Sequence, residues 1–319
     1  MSGDELETAL LGAPCELSRE EVSELTGVPD EVAHAVWAAM GLPEVPPGER
    51  AFTVKDVQAL RTALELGRSG LIDEDSLLVH ARAMGQALSR LAETQVAVVR
   101  GYSGEVSLDE ARETALAVAP DVLPRLEELV VYMWRRQFAA AAARSFTETR
   151  LDGHPVLAVG FVDLVGYTVS TRHWADTELE ALLERFESTL SLRVTAHGGR
   201  VVKTLGDEVL FVTDSAHQAA EIALETVQAH AEDAVLPDVR AGLGLGPVLT
   251  RLGDVFGQPV NLASRLTREA RPASVLVDAA MAAELGGDPT FELTRLKPRP
   301  VRGYSSIRPH LLRRASVQA

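Results

Sequence analysis

The 319-residue chain is short of cysteine, of basic residues and of long apolar runs, and each shortage excludes something. Its single cysteine, Cys15, rules out an internal disulfide framework and any multi-cysteine zinc site. Lys and Arg number 31 against 46 Asp and Glu, a net charge of −15. That balance repels nucleic acid and anionic lipid at long range, so a phosphate site needs local cations or metal ions. The longest apolar stretches are interrupted by Glu127, Glu128, Arg135 and Arg136, well short of the roughly 18 apolar residues a membrane span needs. The opening MSGDELETALLGAP has no basic region followed by an apolar core, the mark of a signal peptide. What is present is ordinary globular chemistry, 46% hydrophobic and 24% charged. The expectation is a soluble cytoplasmic protein of about two domains, at roughly 150 residues each.

Charge and pattern change at the same place. Residues 1–150 carry 25 acidic and 14 basic side chains, and residues 151–319 carry 21 and 17. The first half reads as helices, the second as alternating strands and helices. Ser18 is a natural N-cap with Glu20 and Glu21 in the first turn. Thr26-Gly27-Val28-Pro29 breaks that helix, and Asp30 is expected to cap a second, at helix-turn-helix spacing. FTVKDVQALRTALELG is the next helix. In the one after it, Leu77, Met84, Leu88 and Leu91 recur at core-facing intervals. Residues 107–144 read as two helices broken near Pro120 and Pro124. The expected division is a helical domain over 1–145, a linker over 146–154 and a second domain over 155–319.

The second half opens with VLAVGFVDLVG, a strand apolar enough to be buried on both faces. A long amphipathic helix, DTELEALLERFESTLSLRVTAHG, leads to the hairpin RVVKTLGDEVLFV. The pattern continues through SAHQAAEIALETVQAHA, a strand-and-turn region, the helix PVNLASRLTREA with proline in its first turn, SVLVD, AAMAAEL and a last strand pair, FELTRLKPRPVRGYSS. The order suits one mixed sheet with helices packed on it.

Two carboxylates stand out. Asp163 ends the apolar strand, where a charge costs energy unless a partner or metal satisfies it. Asp207 sits just past the hairpin tip. If neighbouring strands unite them, like charges at short range raise one pKa or recruit divalent cations. Read singly, Asp163 could equally cap the next turn and Asp207 be an ordinary hairpin aspartate. Glu208 is expected to point away from Asp207. Asn261 and Arg265, four apart at a helix start, suit an anionic oxygen and its sugar, or else form a polar surface face. His154, His173, His197, His217 and His230 show no metal-ligand spacing.

FVDLVGYT, VVKTLGDEV and GDVFGQPVNLASR, in this order and with the two aspartates 44 positions apart, resemble the motif set of class III nucleotide cyclases. The likeness spans about residues 155–315. It implies an α+β catalytic domain, a mixed and mainly antiparallel sheet with packed helices, preceded here by an all-α domain. By the same resemblance, Asp163, Asp207 and the Leu164 carbonyl would hold two divalent cations, Mg²⁺ or Mn²⁺. Lys203 and Asp254 match the pair that selects adenine, where guanylate cyclases typically carry Glu and Cys. Asn261 would orient the ribose, and Arg265 would stabilise charge in the transition state. The family builds its sites across a head-to-tail homodimer, metal aspartates from one protomer and the remaining residues from the other. One departure is the segment Leu296-Lys297-Pro298-Arg299-Pro300, where the family usually has Leu-Lys-Gly. Lys297 or Arg299 would reach the triphosphate there, with Lys297 in the family lysine's place.

Residues 18–43 resemble the helix-turn-helix of MerR-type regulators, and the first half looks like the helical regulatory part of some actinobacterial cyclases. Its second helix carries Asp30 and Glu31 and no Lys or Arg, which opposes DNA binding. Trp37, Met40 and Leu42 read as core or interface residues. The reading is an adenylate cyclase whose helical domain receives a proton, lipid or small-molecule input. The alternatives are a non-catalytic nucleotide-binding module and a DNA-binding regulator.

Overall fold

Helix-forming periodicity in the first half and strand alternation in the second become two units in the computed structural model, Met1–Ala142 and Ala143–Ala319. The structure describes residues 3–70, 73–103, 107–147, 149–167, 174–233, 236–301 and 304–316. Thr168 of the first motif and His173 lie outside the described residues.

The first unit contains α1 (Gly3–Leu11), α2 (Arg19–Thr26), α3 (Asp30–Met40), α4 (Val54–Arg68), α5 (Glu74–Ser103) and most of α6 (Leu108–Thr147). Ser18 does cap α2: its Oγ accepts from the Glu21 N–H, and Glu21 Oε2 accepts from the Ser18 N–H at 2.8 Å. Gly27, at φ 69°, ends that helix in a conformation that favours glycine. Pro29, not Asp30, holds the N-cap position of α3, and Asp30 instead meets Arg19 at 2.8 Å. Val22, Ala33, Trp37, Phe52, Val57 and Leu60 form the core of this unit, with the Trp37 and Phe52 rings stacked at 4.3 Å. Met40 packs at its edge, whereas Leu42 is exposed.

Two expectations fail here. Met84, Leu88 and Leu91 are 55%, 46% and 38% exposed rather than buried. The helix meets its neighbour through small residues instead: a Cβ on Gly85 would lie 2.1 Å from the Met40 carbonyl oxygen, and Ala81, one turn earlier, is buried. That close approach turns the larger side chains outward. The second correction concerns α6, which runs unbroken through Pro120 and Pro124. Each proline lacks an N–H, but four-residue spacing puts both losses on one side of the helix, where it can bend without ending.

The second unit contains β1 (Arg150–Leu151), β2 (His154–Leu164), α7 (Asp176–Ala196), β3 (Arg200–Leu205), β4 (Glu208–Thr213), α8 (Ala216–Glu232), β5 (Val239–Pro247), β6 (Leu249–Arg251), β7 (Asp254–Phe256), α9 (Gln258–Glu269), β8 (Ser274–Val277), α10 (Ala279–Leu285), β9 (Phe291–Arg295), β10 (Arg299–Val301), β11 (Tyr304–Ile307) and β12 (His310–Arg314). The main sheet runs β3-β4-β2-β5-β8-β12-β9, with β1 on β2. Among the described residues, only the β5–β8 pair is parallel. Residues 146–154, expected as a linker, contribute the end of α6 and the β1–β2 hairpin. The last strand pair is also rearranged. β9 pairs with β12, which the sequence reading did not anticipate, and β10 pairs with β11. The Leu296–Pro298 segment breaks the run between β9 and β10, and HLLRR offers too few apolar positions to announce a strand.

The central strand β2 is buried on both faces because its alternate residues enter different cores. Ala158, Val162 and Leu164 join Phe186, Leu190 and Ile222 of α7 and α8; Leu157, Val159 and Phe161 join Ala263 of α9. The helix α9 lies against β5 across Gly242, where an added Cβ would stand 2.3 Å from both the Ala263 oxygen and the Thr267 nitrogen. Those atoms belong to helix backbone and cannot rotate aside. The substitution Gly242→Ala is therefore expected to push α9 off the sheet and destabilise this unit by about 1–3 kcal/mol. Urea unfolding of the variant against wild type measures this; equal stability would mean that the helix is not seated as described.

Candidate active site

Antiparallel register brings three charged residues into one row. Asp163 on β2 pairs with Glu208 on β4 and with Arg240 on β5, so all three project to one side of the sheet. Asp163 is only 9% exposed. Its Oδ2 accepts from Arg240 Nε at 2.7 Å and forms an ion pair with Nη2 at 2.6 Å. Asp207 enters from the turn between β3 and β4, which is fastened to the end of β2 by a bond from the Leu164 N–H to the Asp207 carbonyl, 3.0 Å. These residues, with Leu164, Tyr167 and Arg268, line an open cavity of about 510 Å³.

The cavity is crowded with negative charge. Burial raises the Asp207 carboxyl above its usual range, and the charge of Asp163 adds to the shift. Glu208 is pushed up to about 7, first by burial and then by Asp163. Carboxylates in this condition take up protons or cations. An all-oxygen donor set of this kind fits hard divalent cations, which favour carboxylate and carbonyl ligands.

The remaining candidates stand elsewhere. Lys203 Nζ on β3 lies 2.5 Å from Asp254 Oδ2 on β7, and Asp254 Oδ1 accepts from the Val255 N–H at 2.8 Å. Both side chains are half-buried, leaving the donor and acceptor accessible. Asn261, exposed, and Arg265, half-buried, sit one turn apart on α9. The first turn of α9 follows Gly257, at φ 141°, and contains Pro259. Among the described residues, none of these four lines the carboxylate cavity. Lys297 is exposed in the connection after β9 and lines neither that cavity nor the Lys203–Asp254 pair; the side chain of Arg299 lies outside the described positions.

The placement of Glu208 corrects the sequence reading. Asp207 belongs to the turn rather than to the strand, so strand alternation does not separate the two, and Glu208 lines the same cavity. Arg240 and Arg268 were missed altogether. The available signal was the isolated charge Arg240 inside the apolar run VRAGLGLG, opposite the only charge of β2. Histidine does occur beside carboxylates at a second place: His197, Glu221 and Glu225 hold ligand-type atoms within 4.8 Å of one another. There, Arg314 already grips both Glu221 oxygens, at 3.0 and 2.5 Å, so the cluster is an ion-pair network joining α8 and β12.

The known proteins to which this chain is similar include adenylate cyclases. The family model described as "Adenylate and Guanylate cyclase catalytic domain" matches residues 151–314. An adenylate cyclase of Streptomyces coelicolor is 40% identical, with 97% of this chain and 89% of the relative covered. One from Streptomyces griseus is 41% identical over 88% of this chain and 71% of its own length. One from Glutamicibacter nicotianae is 36% identical over 96% and 81%.

The raised Glu208 carboxyl has a measurable consequence in protein freed of divalent cations. A carboxyl near 7 in the folded state, against 4.5 ordinarily, favours folding below about pH 4.5 and loses that contribution as pH rises through 7. Wild-type protein in chelator should thus lose stability between pH 5.5 and 8, and Glu208→Gln should lose less over the same interval. Urea titrations at the two pH values test this; parallel losses in both proteins would remove Glu208 as the source.

Proposed function

The chain belongs to the adenylate and guanylate cyclase family, and we propose that it converts ATP to 3′,5′-cyclic AMP and pyrophosphate at sites shared across a homodimer. The observation that carries this reading is the division of its candidate residues. Asp163 and Asp207 share one cavity, while Lys203, Asp254, Asn261 and Arg265 lie outside it. One chain offers two half-sites, and a second copy joined head to tail completes both.

Asp163, Asp207 and the Leu164 carbonyl would hold divalent cations, Mg²⁺ or Mn²⁺, which would supply acidity at the ATP 3′-hydroxyl and neutralise phosphate charge. The 3′-hydroxyl proton passes to solvent, the 3′-oxygen forms its bond to the α-phosphorus in line with the departing bridging oxygen, and pyrophosphate leaves with the bonding electrons. Arg240 adds fixed positive charge to this half, which a chain of net −15 needs where a polyphosphate binds. From the other half, Lys203 donates to adenine N1 and Asp254 accepts from the 6-amino group; Asn261 orients the ribose. Arg265 meets the charge that develops on the phosphates in the transition state. Lys297 is the candidate from that half for the triphosphate.

The set of acid, base-reading and transition-state residues has no gap, which opposes a non-catalytic nucleotide-binding module. DNA binding is opposed by α3, whose first turn carries Asp30 and Glu31 and whose last turn has no basic residue. The helical unit is assigned to assembly and control of the cyclase, through a proton, lipid or small-molecule input in a cytoplasmic setting. Large apolar side chains stand exposed along α6, among them Tyr132, Met133, Trp134 and Phe138, and favour association. Among the described residues, no helix is long and apolar enough to cross a membrane.

Purified protein with ATP and Mg²⁺ or Mn²⁺ should release cyclic AMP, and Asp163→Ala should lower kcat by at least about 10²-fold. Mixing Asp163→Ala with Asn261→Ala should recover up to about a quarter of wild-type activity, since random exchange leaves one intact site in each heterodimer. No recovery despite demonstrated subunit exchange would refute the shared site. Exchanging the base-reading pair, Lys203→Glu with Asp254→Cys, should weaken ATP use by about 1–3 kcal/mol in kcat/KM, because adenine loses a matched donor and acceptor. Unchanged ATP kinetics would remove the pair from substrate selection.

A further inference from the structure

The carboxylate cavity holds a second guanidinium besides that of Arg240. Arg268 occupies the last turn of α9 and lines the cavity together with Asp163, Asp207 and Glu208. Arg240, the other cation there, has two nitrogens on Asp163 Oδ2. Arg268 is differently placed. Its side chain is exposed and enters no ion pair or side-chain hydrogen bond among the described residues. Its backbone is nevertheless tied to the site, because its carbonyl accepts from Arg240 Nη1 at 3.2 Å. Thus α9 serves two places: Asn261 and Arg265 lie outside the cavity, and the helix's closing arginine reaches into it.

A triphosphate bound there would have more anionic oxygens than Arg240 and bound cations could satisfy, and phosphate oxygens are the acceptors a guanidinium fits best. Lys297 does not line the cavity. We propose that Arg268 is a further substrate-binding residue, donating to the terminal phosphates of ATP, and to the pyrophosphate product, from the same chain that supplies Asp163. The assignment rests on the cyclase reading above. It also places a phosphate contact on the metal-holding half of the site, independent of the partner chain.

Full-length wild type, Arg268→Gln and Arg268→Lys are compared by calorimetric titration with inorganic triphosphate and, separately, adenosine, in Mg²⁺ buffer. Cyclic AMP formation is followed in parallel. Arg268→Gln should lower triphosphate affinity and raise the KM for ATP by about 10- to 100-fold, the effect of one charge-assisted hydrogen-bonded contact. Its kcat should change far less, and adenosine affinity should stay as in wild type. Arg268→Lys should restore part of the triphosphate affinity. Equal triphosphate affinity in wild type and Arg268→Gln overturns the assignment, as does a matching loss of adenosine affinity, which would mean a structural role. Wild type that forms no cyclic AMP, yet loses triphosphate affinity on Arg268→Gln, overturns the cyclase reading and leaves the phosphate contact standing.

Discussion

A carboxylate at the end of a strand buried on both faces has to be neutralised, and the surroundings of Asp163 are organised by that requirement. Flanking β2 with β4 on one side and β5 on the other sets Glu208 and Arg240 beside it in register. Arg240 and Arg268 bring two positive charges to three carboxylates in one cavity, and burial first, then the charge of Asp163, displaces Asp207 and Glu208 upward. A site so poised favours added positive charge, from a proton or a cation, because that charge offsets a repulsion already present. The sheet order, the hairpin turn and the tether from Leu164 to Asp207 all serve to keep the acids together.

The placement of the candidate residues on α9 depends on how closely that helix can approach the sheet. Glycine at 242 lets helix backbone lie directly on β5, with Ala263 and Thr267 against the strand. The same contact fixes where Asn261, Arg265 and Arg268 emerge along the helix. One small residue in a strand thereby sets the position of three polar side chains on a helix.

Legibility in the sequence follows the same physics. Asp163 and Asp207 are readable as a pair because a charge is conspicuous at the end of VLAVGFV and a hairpin announces its own turn. The capping of α2 by Ser18 is local, and local signals survive translation into structure. Register between distant strands is not local, so the placement of Glu208 and the pairing of Asp163 with Arg240 were hidden. In the helical unit, an apolar stripe such as Met84, Leu88 and Leu91 states that a face wants cover without naming the cover; Gly85 and Ala81 already made the contact within the chain. Proline at 120 and 124 misled for a related reason, since a helix end requires the chain to find other bonds, and here it had none better. The strand β12 had no pattern of its own and owes its place between β8 and β9 to them.

Arg240 grips Asp163 through one oxygen only, with Nε and Nη2 both directed at Oδ2. The other oxygen of that carboxylate is not engaged by the arginine. Loading the cavity can therefore proceed by addition rather than exchange: an incoming ion gains a ligand without first breaking the guanidinium contact. Nothing in that arrangement requires β2 and β5 to change their pairing as positive charge is added to the cavity.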